Sequence, residues 1–350
     1  MTTPLPPLDV WYCCDQTLCN FNCPYCAAGL VRSAHKGKMW AGNESAALYK
    51  KVIEWIAAQS GFEKGVRLQT FGEPFLCDAF LEGAAWLSHR ANIRFVELVT
   101  NGSRLLQEYG PFAERAEADR ITLWITYHAT ECDAETILKG ALFAQSLGAL
   151  VIINLLLFPQ TLQAVLVMRD RCLEEGLKVH VDLGYLQQNI PIVHERPDIV
   201  SRLYQWPDVL AMHLTAAITP FGQACHAGQA FIRILENGYV APCGPLGQGA
   251  GHPVRFGHVL DPDFHLAESL YKTPKACTHR AACRCKEEFL NFAVLQKKYV
   301  RQRSMGLVEP RDPGPATNDT DAIVGLGAAG LKLKKALIHH HRLTPPGSGQ

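Results

Sequence analysis

Leu8-Asp9-Val10-Trp11-Tyr12-Cys13 is a β-rich apolar run, and it opens into a loop that contains Cys19-Asn20-Phe21-Asn22-Cys23-Pro24-Tyr25-Cys26. A strand that ends in a dense group of thiols carries reactive side chains at its carboxyl end. Similar runs recur at Val66 to Phe71, Ile93 to Thr100, Arg120 to Tyr127, Leu150 to Phe158 and Lys178 to Gly184, which predicts six strands. Stretches of helical period separate them, near Asn43 to Gln59, Asp78 to Arg90, Ser103 to Ala118, Ala134 to Leu147, Thr161 to Glu175 and Pro197 to Met212, with Gly148 and Gly176 placed as helix stops. Six strand and helix pairs predict an α/β fold, a parallel sheet rolled by right-handed crossovers into a partial (β/α)6 TIM-type barrel. Functional groups then belong at the carboxyl ends of the strands. Gly72-Glu73-Pro74, Thr100-Asn101-Gly102 and Tyr127-His128 fall there, after the second, third and fourth strands.

The 350 residues suit two domains at ~150 each, and 48% apolar content is ample for a packed core, which excludes disorder throughout. The longest mainly apolar run, Ala149 to Phe158, is about half of the ~20 residues that a membrane-spanning helix needs, and no basic-then-apolar signal opens the chain. A cytoplasmic protein with no membrane partner is the expectation. Lys and Arg total 34 against 33 Asp and Glu, a formal net charge of +1, so no whole-molecule field draws it to nucleic acid. Thirteen cysteines, an odd number without an export signal, argue for metal rather than a disulfide framework.

Composition changes after Pro220, where Gly, Pro and Cys rise and helical period weakens. Three regions are predicted: a barrel over 8–215, a small second domain over 216–292, and a mobile tail over 305–350 that is rich in proline and poor in large apolar side chains.

Three thiolates within eight residues leave one iron of a cubane iron-sulfur cluster without a protein ligand, whereas a structural zinc takes four. Zinc completed by Cys13, Cys14 or a histidine is the alternative. The spacing CxxxCxxC, with the aromatic Tyr25 before the last cysteine and at the end of a first strand, resembles the signature of the radical S-adenosylmethionine superfamily. The resemblance implies that Cys19, Cys23 and Cys26 bind a [4Fe-4S] cluster whose open iron takes S-adenosylmethionine. Gly72-Glu73-Pro74 resembles the family's GGEP element, with Phe71 in place of the first glycine, and implies that backbone and Glu73 carboxylate hold the methionine amino group. Thr100-Asn101 resembles the ribose- and carboxylate-binding edge, and His128 and Asn154 lie where substrate and ribose contacts occur. The likeness covers about residues 8 to 215.

Cys225, Gly238 and Cys243 resemble the opening of the twitch and SPASM domains that follow many such barrels, with Phe231 to Leu235 and Tyr239 to Ala241 forming a hairpin at Asn237-Gly238. A second [4Fe-4S] cluster on Cys225, Cys243 and Cys283 is implied, and Cys277 and Cys285 compete for its fourth site. Zinc on the same ligands stands as the alternative. Pro274 and Glu287 occupy two further SPASM cysteine positions, so the twitch form is expected. Cys77 and Cys132, near barrel loops, are candidate hydrogen donors.

The resemblance implies an enzyme that takes an electron from a flavodoxin or ferredoxin, cleaves S-adenosylmethionine and abstracts hydrogen from its substrate. A small polar substrate is expected, with oxidation, epimerisation or rearrangement as the outcome and natural-product biosynthesis as a setting. Only eighteen residues precede Cys19, which leaves no room for a fused leader-binding domain. A maturase acting on a ribosomal peptide in trans is the second reading, and a non-catalytic iron-sulfur or zinc protein the third.

Overall fold

The structure, a computed structural model, describes residues 6–183, 220–248, 253–280, 283 and 286–311. The helix expected over Pro197 to Met212, Cys285, and the tail beyond residue 311 lie outside the described residues. All six predicted strands are present: β1 (Leu8–Cys14), β2 (Lys64–Thr70), β3 (Ile93–Thr100), β4 (Ile121–Tyr127), β5 (Leu150–Leu157) and β6 (Lys178–Leu183). They pair in parallel and in chain order. The connecting helices are α2 (Ser45–Ala58), α3 (Asp78–Ser88), α4 (Leu105–Ala113), α5 (Ala134–Ser146) and α6 (Leu162–Glu174). A short helix, α1 (Gly29–Ala34), precedes them and buries none of its residues, so no apolar period announces it in the sequence.

Parallel strands covered on both faces read as continuous apolar runs, and these strands are buried almost throughout. One face packs on the helices. Leu8, Val10, Tyr12, Val66, Leu68, Val96, Leu98, Leu123 and Ile153 join Ile53, Leu81, Tyr109 and Ala141 in a single core. Asp133 starts α5 by accepting from Thr136 N, and Gly148 and Gly176 leave α5 and α6 with φ of 99° and 70°, a region that L side chains disfavour.

The other face is built differently, because the alternate positions of β1, β2, β3 and β4 carry Trp11, Arg67, Glu97 and Trp124. Arg67 is 3% exposed and bonds Glu97 at 2.7 Å and Glu287 at 2.6 Å. Its guanidinium also lies over the rings of Trp11 and Trp124, at 5.5 and 4.8 Å from their centroids. Glu97 accepts further from Ser304 Oγ and Met305 N. Distant parts of the chain are thus fixed on this side of the sheet.

Part of the chain after residue 220 joins the barrel sheet itself. β8 (Phe231–Ile234) pairs in parallel with β1, and β9 (Tyr239–Ala241) and β10 (Gly257–His258) continue outward, so one sheet has the order β10-β9-β8-β1-β2-β3-β4-β5-β6. The expected hairpin at Asn237-Gly238 is there, and it extends the barrel sheet rather than standing apart. β7 (Ala224–Cys225) pairs with β11 (Lys275–Ala276) beside it.

The second domain's expected end near Phe292 is passed without a break, and the mobile tail expected from Met305 is corrected as far as residue 311. Ala293–Lys298 is helical, β12 (Tyr299–Arg301) and β13 (Val308–Pro310) form a hairpin, and Met305 is fully buried. Glu97 supplies the physical reason, since its carboxylate holds Ser304 and Met305 in the sheet interior. No helix among the described residues is long and apolar enough to cross a membrane.

Removal of a cation shared by two buried carboxylates leaves both under-compensated. Arg67→Met is therefore expected to cost about 3 to 5 kcal/mol. Urea unfolding checks it, and a loss of less than about 1 kcal/mol would show that the network contributes little.

Candidate active site

The loop after β1 is stitched on two sides before it reaches Cys19. Gly72 N donates to Gln16 O and Glu73 N to Leu18 O, both at 2.8 Å, while Thr17 N and Ala41 N pair with Met39 O and Asp15 O. The approach at residue 72 is so close that a Cβ would stand 2.0 Å from Leu18 O and 2.7 Å from Gln16 Oε1. Only glycine fits there. The glycine of Gly72-Glu73-Pro74 is thus required by the thiol loop itself, and Phe71 needs no such freedom.

Glu73 is 1% exposed. Its Oε1 accepts from Phe75 N at 3.1 Å and Thr100 Oγ1 at 2.6 Å, and its Oε2 accepts from Asn101 N at 2.7 Å. Burial pushes its carboxyl up to about 7, against these three hydrogen bonds, which pull it down. The resemblance implied an ammonium as its partner. The structure gives it the Phe75 amide in its own turn and the Thr100 hydroxyl and Asn101 amide at the end of β3, so of about four lone-pair positions three are taken and one is left. Pro74 is buried at the start of the following turn.

Asn101 carries the connection onward. Its Nδ2 reaches Asn20 Oδ1 at 3.0 Å and Cys19 Sγ at 3.9 Å, its Oδ1 accepts from Ser103, and Asn20 Nδ2 donates to Ser103 Oγ. The opposite flank is tied to the end of β4. Asn22 N donates to Glu131 Oε2, and His128 Nδ1 lies 3.6 Å from Cys23 Sγ and 3.2 Å from Tyr25 Oη. The Tyr25 ring stacks on His128 and tilts against Phe158, with centroids 5.7 and 4.3 Å apart. Burial, then the Arg32 charge, pushes His128 down to about 4, so its imidazole is neutral at neutral pH.

Cys19, Cys23 and Cys26 are half-buried, and the charge of Cys26 is felt at both Cys19 and Cys23. Burial, then the charges of Glu131, Cys26 and Cys19, pushes Cys23 up to about 12. N–H groups point at two of the sulfurs: Phe21 N at Cys19 and Arg32 at Cys26, at 3.4 and 3.5 Å. Such donors suit thiolates that carry iron. Among the described residues no three His, Cys, Asp or Glu side chains converge to hold one metal ion. Cys14 packs into the helix-side core and Cys13 lies beside Arg233, so neither stands with the loop thiols.

Asn154 is 4% exposed, and its Oδ1 has no hydrogen-bond partner among the described residues. It is in register with Thr126 on one side and His180 on the other. Cys77 is corrected: it is 2% exposed and packs in the helix-side core, where its thiol is shielded from a substrate. Cys132 is partly buried against that core.

Late in the chain, Cys225, Cys243 and Cys283 share a second buried cluster with Trp11 and Phe231. Cys277 joins them, because Cys277 N donates to Gln223 O and its charge is felt at each of the other three. Burial first, and then the charges of Glu288 and neighbouring cysteines, raises Cys243 and Cys283, while burial and then Cys277 and Glu288 raise Cys225. Glu288, 3% exposed, accepts from Gly244 N and Arg233 beside them. Arg32, Asn20, Glu131 and Glu288 were not singled out by sequence. Of these, Arg32 had a readable signal, a lone cation six residues past Cys26.

No protein-family model and no curated protein matches the chain. Among solved structures it is similar to histidine-tagged anSMEcpe with bound AdoMet, at 15% identity and a TM-score of 0.53 over 77% of this chain and 81% of that one. Native anSMEcpe with bound AdoMet and the Kp18Cys peptide is similar at 14% identity and a TM-score of 0.52 over 77% and 81%. At such identities the likeness is one of fold, a partial TIM-type barrel built on the parallel sheet of β1 to β6.

Proposed function

We propose that the protein is a radical S-adenosylmethionine enzyme. The observation that carries the proposal is convergence: Cys19-Cys26, Gly72-Glu73 and Thr100-Asn101, far apart in sequence, are joined by hydrogen bonds at the carboxyl ends of β1, β2 and β3. The AdoMet bound by anSMEcpe on the same fold supports the reading.

The residues present fit a three-thiolate cluster with AdoMet. When bound, that pair supplies reductive cleavage of the carbon-sulfur bond and a 5'-deoxyadenosyl radical that takes hydrogen from carbon. Cys19, Cys23 and Cys26 would hold the cluster, with Arg32 and the Phe21 amide stabilising sulfur charge. Glu73 keeps one acceptor position for the methionine ammonium, and a cation there would restore the ionisation that burial opposes. Neutral His128 adds no positive charge beside a sulfonium. Tyr25, His128 and Phe158 form an aromatic wall that excludes water. Asn154 Oδ1 offers a buried acceptor for a ribose hydroxyl.

Cys225, Cys243, Cys277 and Cys283 are proposed to hold a second [4Fe-4S] cluster, four thiols for four irons. It would accept an electron after hydrogen abstraction and so give net oxidation. The substrate is proposed to be a small polar molecule. A peptide is the second reading, favoured by the Kp18Cys peptide that anSMEcpe holds. A cytoplasmic setting accords with thiol-borne clusters.

Anaerobically reconstituted protein, once reduced, is expected to convert S-adenosylmethionine to 5'-deoxyadenosine and methionine. The Cys19→Ala/Cys23→Ala/Cys26→Ala variant should lose that cleavage and about half its iron, one cubane of two. Zinc in both sites with no cleavage would leave a metal-binding protein and no enzyme.

Glu73→Gln removes the charge from a charge-assisted hydrogen bond worth ~1.5 to 3 kcal/mol. The dissociation constant of S-adenosylmethionine should rise about tenfold or more, by equilibrium dialysis on protein with intact cluster. Unchanged affinity would confine Glu73 to bracing the β3 turn.

Cys283→Ala, with the first triad intact, is expected to retain S-adenosylmethionine cleavage while product formation collapses. Deuterium from substrate should still enter 5'-deoxyadenosine, since abstraction precedes electron removal. Wild-type product yield without iron at these late cysteines would refute the second cluster.

A further inference from the structure

α1 begins three residues after the last thiol of the loop, and Gly29 N donates to Cys26 O at 3.0 Å. Arg32 closes the junction by donating to Cys26 Sγ and to the Phe21 carbonyl. The outer side of this helix is unlike the rest of the surface. Leu30 is 90% exposed, more than any other large hydrophobic side chain on the exposed surface of the described residues. Between Asp15 and Glu44 the chain has no acidic residue, yet it carries Arg32, Lys36 and Lys38. Lys36 and Lys38 are exposed. In a chain of formal net charge +1, this segment therefore carries a local excess of positive charge together with one protruding apolar side chain, next in sequence to the thiol loop. A single exposed leucine is ordinarily unremarkable. Its place in an acid-free basic segment, fastened to Cys26, is what asks for a partner.

The other flanks of the loop are occupied. Gly72-Glu73 and Asn101 hold it toward β2 and β3, and Glu131, His128 and Tyr25 hold it toward β4. Glu131, the acidic side chain at the loop, is on that far flank. The α1 side is left facing outward.

We infer that the exposed segment from Leu30 to Lys38, with Leu30, Lys36 and Lys38 as its exposed apolar and basic groups, docks a small acidic one-electron carrier of the flavodoxin type. The inference rests on the functional reading above. Reduced flavin would give up one electron, passing from hydroquinone to semiquinone, and the cluster on Cys19, Cys23 and Cys26 would gain it. Complementary charge at such an encounter raises the association rate and weakens with salt.

The test uses the full reconstituted chain, purified acidic flavodoxin, and the variants Lys36→Glu/Lys38→Glu and Leu30→Ser, whose folding is checked by circular dichroism. Binding of oxidised flavodoxin at low ionic strength, by calorimetry, should weaken about tenfold or more in the charge-reversed variant, and S-adenosylmethionine cleavage driven by reduced flavodoxin should fall with it. Cleavage driven by dithionite, which needs no docking, should stay within about twofold of the unaltered protein. Leu30→Ser should weaken flavodoxin binding while leaving the dithionite rate in place. Unchanged flavodoxin binding in both variants overturns the inference, as does an equal loss with both reductants, which would mean that these residues act on the cluster itself. Unaltered protein that cleaves nothing with dithionite overturns the enzyme reading and this inference together, whereas failure of docking alone leaves the dithionite rate standing.

Discussion

A carboxylate with almost no exposed surface organises the mouth of this barrel. Glu73 follows β2, yet its oxygens accept from Thr100 and Asn101 at the end of β3 and from Phe75 in its own turn. The amide of the same residue pairs with Leu18 O, and Gly72 beside it approaches that carbonyl more closely than any Cβ allows. One residue therefore aligns three loops. Because Asn101 in turn reaches Asn20 and Cys19, the position of the thiols follows from a buried charge on a neighbouring strand. The arrangement costs desolvation, seen in the carboxyl's rise to about 7, and three hydrogen bonds offset part of it.

A second buried charge set acts on the opposite face. Arg67 between Glu97 and Glu287 spans β2, β3 and a helix more than two hundred residues away, and Glu97 also fixes Ser304 and Met305. Trp11 is shared by this network and by the late thiol cluster, since Arg67 and Arg233 both lie over its ring and Cys225, Cys243 and Cys283 pack beside it. The two groups of thiols thus belong to one sheet. Trp11 on β1 and its pairing partner β8 join the late cysteines to the strand that leads into the first thiol loop.

Much of the fold was legible because its signals are local. Alternation of apolar runs with helical periods located all six strands within a few residues, and β3 at its observed limits. Gly148 and Gly176 marked helix ends by a backbone need that glycine meets. The site was legible where residues sit close in sequence, as Cys19, Cys23 and Cys26 do, or where a short turn such as Gly72-Glu73-Pro74 stands at a strand end. Arg32 and Glu131 escaped notice, since neither belongs to a short pattern and their role depends on what lies across the loop.

By itself the sequence determined the parallel strand order's raw material: which segments extend, which coil, and where three thiols fall on one loop. Tertiary structure alone decided the partners of Glu73, which lie 27 and 28 residues away. It decided too that Cys277 lies within electrostatic reach of Cys225, Cys243 and Cys283, that β8 continues the barrel sheet, and that the chain from Phe292 to the β12–β13 hairpin is packed. Periodicity along a chain reports which face of an element is apolar, because burial repeats with the backbone geometry. It carries no record of which element will cover that face, and a buried charge finds its partners only once the strands on either side have been placed.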